Sequence, residues 1–315
     1  MSEFPIEVPL KNRKMRYNSL IVGSEVKDWV ALLKPRVISL VVFTSIAGII
    51  CAPGSIHPAL AFISILCVCL ASGGAGAINM WYDRDIDRIM LRTSTRPLPA
   101  DRIRPLDALI YGVCICILSV MLIFLATNGL TAFILAFSIF FYTTIYTVWL
   151  KRTTTQNIVI GGAAGAFPPI IGWTSVTGHI SLFPIILFLI IFLWTPPHFW
   201  SLSLYACKDY GRAGIPMLPV VKGEKFTRWN IFVYVFILAM VSLLPVYFGY
   251  TSYLYAIVVI VLNVGFLYRA ICILTEEQTV KGISLNQNKA ARNSFHYSLI
   301  YLFVLFLTLM IDHKI

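Results

Sequence analysis

The stretch Asn79-Met-Trp-Tyr-Asp83-Arg-Asp85-Ile-Asp87-Arg88 puts three carboxylates and several arginines at the end of an apolar run long enough to lie in a membrane. Hydrocarbon does not solvate charge, so ionisable residues at that depth are costly and usually functional. On a helix continued from Leu70, Asn79, Asp83 and Asp87 recur every fourth residue, which stacks their oxygens along one face at spacings of roughly 6 Å. Such a ladder suits a hard cation. Mg²⁺ takes oxygen ligands, keeps several waters and is commonly shared between one or two carboxylates and a substrate's phosphates. Arg84, Arg88, Arg92 and Arg96 lie beside the ladder, and guanidinium is the preferred fork for phosphate oxygens. The same residues also suit a solvated charged loop between two spans.

A second polar cluster runs from His198 through Trp200 and Tyr205 to Lys208, Asp209 and Arg212, and leads into Pro216 and Pro219. On one continuous helix His198, Tyr205 and Asp209 share a face, being seven and eleven residues apart. Pro196 and Pro197 precede the histidine, and a kink there frees backbone carbonyls that must be satisfied inside a cavity or by neighbours. A lone intramembrane histidine can equally be a hydrogen-bonded packing residue.

The elements that must position these clusters follow from composition. With 315 residues, 58% hydrophobic and only 12% charged, the chain is polytopic and all-α rather than a soluble domain. Apolar runs of about 20 residues predict nine spans, near Pro35–Ala52, Pro58–Ile78, Leu106–Ala126, Leu130–Leu150, Asn157–Ser175, Leu182–Tyr205, Trp229–Gly249, Tyr253–Cys272 and Phe295–Ile311. The first is preceded by a polar segment without a distinct cleavage site, so it reads as a retained span. Residues 1–33 form an N-terminal segment and 34–315 one transmembrane domain. Four helices separate the two clusters, so both open on the same side. A faint parallel repeat, about 34–150 against 156–272 with a ninth helix at 294–312, brings them to the interface between halves.

Charge gives orientation. Of the 25 Lys and Arg, 24 fall on one side of these spans, as do 13 of the 14 acids, whereas the turns around Gly54, Gly129, Gly178 and Tyr250 carry no basic residue. The positive-inside rule makes that side, with the N-terminus, cytoplasmic in a bacterial inner membrane, or matrix-facing in a mitochondrial one. The net charge of +11 therefore reports topology and contact with anionic membrane lipid, and argues against nucleic acid as a partner. Six of the seven cysteines lie in or beside spans and behave as small hydrophobes. The glycine-rich runs Ser72–Ala77 and Gly161–Gly165 are packing devices, since neither has the strand-to-helix context of a nucleotide-binding loop.

The pattern Asn79-x-x-x-Asp83-x-Asp85-Ile86-Asp87-x-x-Met90-x-Arg92-Thr93-x-x-Arg96-Pro97-Leu98, with Thr195-Pro-Pro-His198-Phe-Trp, Asp209-Tyr210 and Gly214-Ile-Pro-Met-Leu-Pro219, resembles the intramembrane polyprenyltransferases of the UbiA superfamily. The resemblance covers the chain from Lys34-Pro35-Arg36 to the last span, and is nearest to the branch that farnesylates heme. Two departures from the wider pattern stand out. Met80 replaces an acid after the first Asn, and only Asp209 remains of a second acidic motif, beside Lys208.

The resemblance implies a helical bundle around a central cavity open to the cytoplasmic side, with Mg²⁺ as cofactor and farnesyl diphosphate and heme B as substrates. It implies metal on Asn79, Asp83, Asp87 and Asp209, and diphosphate on Lys34, Arg36, Arg88, Arg92, Arg96 and Lys208. Trp81, His198, Trp200 and Tyr205 would contact heme or isoprenoid, with His198 also acting in catalysis. The product would be heme O, passed on to a heme A synthase or terminal oxidase assembly factors. Two other readings stay open: a prenyltransferase with an aromatic quinone-precursor acceptor, and an ion-coupled transporter using the ladder as an ion site. A transporter should carry polar residues through both leaflets, whereas the outer half of almost every span here is apolar.

Overall fold

The computed structural model describes residues 23–279 and 282–313, so residues 1–22 of the expected N-terminal segment and Lys314 lie outside the described residues. The described chain is helical apart from turns and two isolated bridges, Thr251 to His313 and Gln278 to Ser284. A short helix α1 (Val26–Leu32) meets α2 (Pro35–Ile50) at a 51° bend. Then follow α3 (Pro58–Tyr82), α4 (Arg84–Ile89) and α5 (Pro105–Ala126). Next come α6 (Gly129–Thr153), α7 (Asn157–Thr177) and α8 (Leu182–Tyr205). A short α9 (Cys207–Arg212) precedes α10 (Glu224–Tyr247), α11 (Tyr253–Thr275) and α12 (Lys289–Asp312). Proline at the first position starts α2, α3 and α5, where its missing N–H costs nothing and its fixed φ suits a helix.

Eight of these helices are long and apolar enough to cross a membrane, and the bent α1–α2 pair makes a ninth, in line with the nine apolar runs. The long helices close into a ring in chain order, with α12 returning to α2, while α2–α7 and α8–α12 contacts fill the interior. Leu125, Ile311 and Phe133 stand 77%, 70% and 66% exposed on the outside, as expected of a surface facing lipid. The protein is an integral membrane bundle.

Helices α10 and α12 begin well before the apolar runs that predicted them, at Glu224 and Lys289. The buried Arg228 explains the difference. It donates to Glu224, Glu276, Asn288 and the carbonyl of Ile273 at 2.8–3.1 Å, so a polar first turn is satisfied within the protein and pins α10, α11 and the start of α12 together.

Close backbone approach replaces large side chains where α2 crosses α7. A Cβ on Gly48 would stand 2.2 Å from the Pro169 carbonyl oxygen, and one on Gly172 would stand 2.1 Å from that of Ser45. Between helices in lipid, where burial supplies little drive, such small-residue crossings carry the packing. Gly172→Ala should therefore separate the two helices and destabilise the detergent-solubilised protein by ~1–3 kcal/mol, read as a lower thermal midpoint. An unchanged midpoint would show that the crossing relaxes freely.

Candidate active site

The acidic ladder forms across a helix break. Helix α3 ends at Tyr82 and α4 starts at Arg84, yet Asp83 N–H donates to the Asn79 carbonyl (2.9 Å) and Asp87 N–H to that of Asp83 (2.8 Å). The helical hydrogen bonds thus carry on through Asp83 and keep Asn79, Asp83 and Asp87 on one side. They are 5%, 1% and 3% exposed, while Asp85 points out. Asn79 Nδ2 donates to Asp83 Oδ2 at 2.8 Å.

Cations surround these oxygens. Lys34 sits in the α1–α2 bend with left-handed backbone, φ 55°, a conformation that costs a lysine about 1–2 kcal/mol. Its stem passes over Gly76, and its Nζ donates to Asn79 Oδ1 at 2.7 Å. Lys151 of α6 pairs with Asp83 Oδ2, and Arg152 reaches Asp83 Oδ1 at 3.5 Å and Asp85 at 2.7 Å. The guanidinium of Arg152 holds the Asp85 carboxyl below the usual carboxylate range. Arg96 returns from the loop after α4 to meet Asp87 Oδ2 at 2.8 Å.

Lys151 escapes helical-periodicity reasoning because residues 141–150 of α6 are wound as a π-helix. In an α-helix, residues five apart point about 140° from one another; five-residue closure brings them to one side. Thr147 Oγ1 bonds the Tyr142 carbonyl five residues back (2.8 Å) and receives the Asn79 amide (3.0 Å), so the π-turn holds α6 against the ladder. The informative signal was chemical: Lys151 and Arg152 end an apolar span on the side where the acids lie.

The second cluster also spans a formal helix end: α8 stops at Tyr205 and α9 starts at Cys207, yet Ala206 N–H donates to the Leu202 carbonyl (3.1 Å) and Tyr210 N–H to that of Ala206 (3.1 Å). Asp209 Oδ1 then accepts from the backbone N–H of Leu91 at 2.9 Å, joining the clusters directly. Tyr210, its phenol raised by burial, lies beside Arg92. His198 is buried between Trp194 and Phe295, at ring centroid distances of 4.3 and 4.5 Å. Its Nδ1 lies 2.6 Å from Ser298 Oγ, which itself donates to the Phe295 carbonyl.

The remaining residues are dispersed. Arg88 pairs with exposed Asp101; Arg36 and Lys208 are exposed. Tyr205 lies beneath Arg292, 5.3 Å from its ring centroid. Trp200 is buried against Tyr234 of α10, and Trp81 packs in the cluster that holds Trp29 and Tyr111. A cavity of about 750 Å³ opens elsewhere, lined by Arg269, Glu276 and Lys289 between α11 and α12.

The donor set fits a hard cation shared with a ligand. Among the described residues no three His, Cys, Asp or Glu close around a metal, but Mg²⁺ that keeps its waters and takes phosphate oxygens needs only one or two carboxylates. Asp83 and Asp87, with the Asn79 amide oxygen, are such donors. Lys34, Lys151, Arg96 and Arg152 outnumber the ladder's two carboxylates, which makes the whole site attractive to a polyanion.

Residues 40–299 match the UbiA prenyltransferase family. The chain is 60% identical over 298 residues to the protoheme IX farnesyltransferase of Gluconacetobacter diazotrophicus, covering 95% of each. It is 58% identical to that of Gluconobacter oxydans, covering 91% of this chain and 90% of the relative. Among solved structures, a digeranylgeranylglyceryl phosphate synthase superposes with TM-score 0.73 at 18% identity, covering 90% of this chain and 97% of its own. A UbiA homolog from Archaeoglobus fulgidus bound to DMAPP and Mg²⁺ superposes with TM-score 0.63 at 16% identity, covering 87% and 99%. At those identities the likeness concerns the fold.

The pairing of Lys151 with Asp83 is open to a double-mutant cycle. Lys151→Met leaves the buried Asp83 carboxylate with only the Asn79 amide and a 3.5 Å contact to Arg152 and should cost about 1–3 kcal/mol of stability, visible in thermal unfolding. Adding Asp83→Asn removes the stranded charge and should restore most of the loss. Simple additivity of the two changes would show that the pair is not an energetic unit.

Proposed function

The chain belongs to the UbiA prenyltransferase family, and from that membership we propose that it transfers the farnesyl group of farnesyl diphosphate to a vinyl group of heme B, with addition of water, to give heme O. The observation that carries this reading is the buried Asn79-Asp83-Asp87 ladder enclosed by an excess of cations, which is chemistry for diphosphate. The acceptor is argued from the shared name of relatives that align along nearly the whole chain. The site opens on the side that carries the positive charge, the cytoplasmic side of a bacterial inner membrane by the positive-inside rule.

In this reading Asn79, Asp83 and Asp87 would hold Mg²⁺, joined by Asp209 of α9, whose Oδ1 accepts from the Leu91 amide. Bound there, Mg²⁺ supplies positive charge to the diphosphate as it departs. Lys34, Lys151, Arg152, Arg92 and Arg96 take the remaining phosphate oxygens, arginine by its two-pronged fork. The carbon–oxygen bond at C1 of the farnesyl group breaks, and its electrons leave with diphosphate. The heme vinyl carbon then bonds to C1, and water captures the new cation and loses a proton. The protein's share is to stabilise the leaving charge and to keep water from the first cation until the vinyl group has reacted. His198 contacts heme.

Purified membranes given heme B, farnesyl diphosphate and Mg²⁺ should yield a heme product heavier by the hydroxyethylfarnesyl change; the absence of that mass sinks the acceptor assignment. Asp83→Asn or Asp87→Asn should abolish turnover while the protein remains inserted, because each lost ligand weakens metal and diphosphate together. Near-normal activity of either variant at limiting Mg²⁺ would remove the ladder from the metal site.

His198→Ala should slow conversion of heme B while Mg²⁺-dependent binding of farnesyl diphosphate stays within about threefold, a difference of well under 1 kcal/mol. A histidine that only packs would lower stability and both affinities alike, so loss of farnesyl diphosphate binding first would count against the heme contact.

A further inference from the structure

Farnesyl transfer requires an electron-rich, water-poor surface at the carbon that loses diphosphate. Trp200 and Trp81 are each committed to a packed cluster. The π-helical end of α6 presents a different pair. Tyr142 and Tyr146 stack with ring centroids 5.6 Å apart and planes 20° from parallel. Thr147 bonds the Tyr142 carbonyl and receives the Asn79 amide, so the rings are held in fixed register with the acidic ladder. The Tyr142 side chain lies within electrostatic reach of Asp83, Asp87 and Arg96, and that of Tyr146 within reach of Asp83, Arg92 and Tyr210. Tyr146 is therefore within reach of both clusters.

Both side chains are half-buried, and among the described residues neither hydroxyl has a hydrogen-bond partner. Here the rings are held by stacking and by their backing. Gly161 of α7 lies directly behind Tyr146: a Cβ there would stand 2.2 Å from Cδ2 and 2.8 Å from Cε2. The missing side chain is what lets the Cγ–Cδ2–Cε2 edge of the ring close against α7.

We propose that Tyr142 and Tyr146 form the cation-stabilising wall for the allylic chain, with the face of Tyr146 against the carbon from which diphosphate departs and Gly161 as the back-stop that sets the ring. The proposal rests on the farnesyl-transfer reading above. No bond forms to the ring. The C1–O electron pair leaves with diphosphate, the positive charge spreads over C1 and C3 of the allyl group beside the π-face, and the acceptor's double bond discharges it. A desolvated cation–π contact is strong enough to matter, on the order of a thirtyfold effect on rate.

Full-length Tyr146→Phe, Tyr146→Leu, Tyr142→Leu and Gly161→Ala can be compared with wild type in membranes. Three quantities are read: diphosphate release from farnesyl diphosphate, the split between heme product and farnesol, and farnesyl diphosphate affinity. Tyr146→Leu should slow diphosphate release about thirtyfold and shift the split toward farnesol, with affinity within about threefold. Tyr146→Phe keeps the ring and should lose no more than about fivefold. Gly161→Ala keeps both tyrosines in the chain but pushes the Tyr146 ring off its seat, and should move rate and split in the same direction as Tyr146→Leu, so it and Tyr142→Leu carry the test if Tyr146→Leu does not fold. A wild-type rate and split in Tyr146→Leu overturns the wall, as does Tyr146→Phe falling as far as Tyr146→Leu, which would place the effect on the hydroxyl. Wild type that releases no diphosphate overturns the transfer reading itself.

Discussion

Two carboxylates buried in an apolar bundle are the constraint on which the rest of this structure depends. An isolated charge at that depth costs several kcal/mol even after relaxation. Asp83 and Asp87, at 1% and 3% exposure, are tolerable only because cations come to them. Each cation needs a backbone device to arrive. Lys34 comes on a left-handed turn between α1 and α2, Lys151 and Arg152 on a π-wound α6, and Arg96 on a loop that doubles back after α4. That loop is itself held by Arg102 on buried Asp28 of α1 (2.8 Å) and by Asp209 on the Leu91 amide (2.9 Å). Features that look like separate irregularities thus answer one electrostatic demand.

The arrangement that solves the folding problem also serves chemistry. A hydrophobic replacement of the ladder and its partners would often be neutral or stabilising, so stability alone does not explain retaining it. Oxygen donors and cations held side by side, without enough carboxylates to chelate a metal completely, make a site that a polyanion and a divalent cation complete together. In the proposed reading, the cations that compensate the carboxylates in the free protein would turn to phosphate oxygens as a metal took the carboxylates, with little rearrangement of charge.

How much of this the sequence disclosed depends on the range of the interaction. The spans were legible because hydropathy over about 20 residues averages out detail. The shared face of Asn79, Asp83 and Asp87 was legible because helical hydrogen bonding persists through Asp83 although the helix formally breaks. What periodicity could not see was any change of winding. The π-segment moved Thr147 and Lys151 onto the site, and the contact of Asp209 with the Leu91 amide joins segments 118 residues apart, which no local period reports. Aromatic residues were equally opaque. Trp200 and Tyr146 are both aromatic residues near polar motifs, and only packing, against Tyr234 for one and against Gly161 for the other, separates a core residue from a residue of the site.

The π-winding carries the last step. It is less favourable than α-helix and persists where surroundings fix it. Here the fixing contact is a chain of hydrogen bonds: the Tyr142 carbonyl accepts from Thr147, and Thr147 accepts from Asn79, whose oxygen takes Lys34. Asn79 also donates to Asp83, so its amide stands between the cation, the carboxylate and the irregular helix. An acid at this position could not donate to both Thr147 and Asp83, whereas an amide does so while still presenting an oxygen. The first member of the ladder is therefore an asparagine for a reason visible in its partners: it registers the π-turn, and with it the tyrosine pair, to the carboxylates.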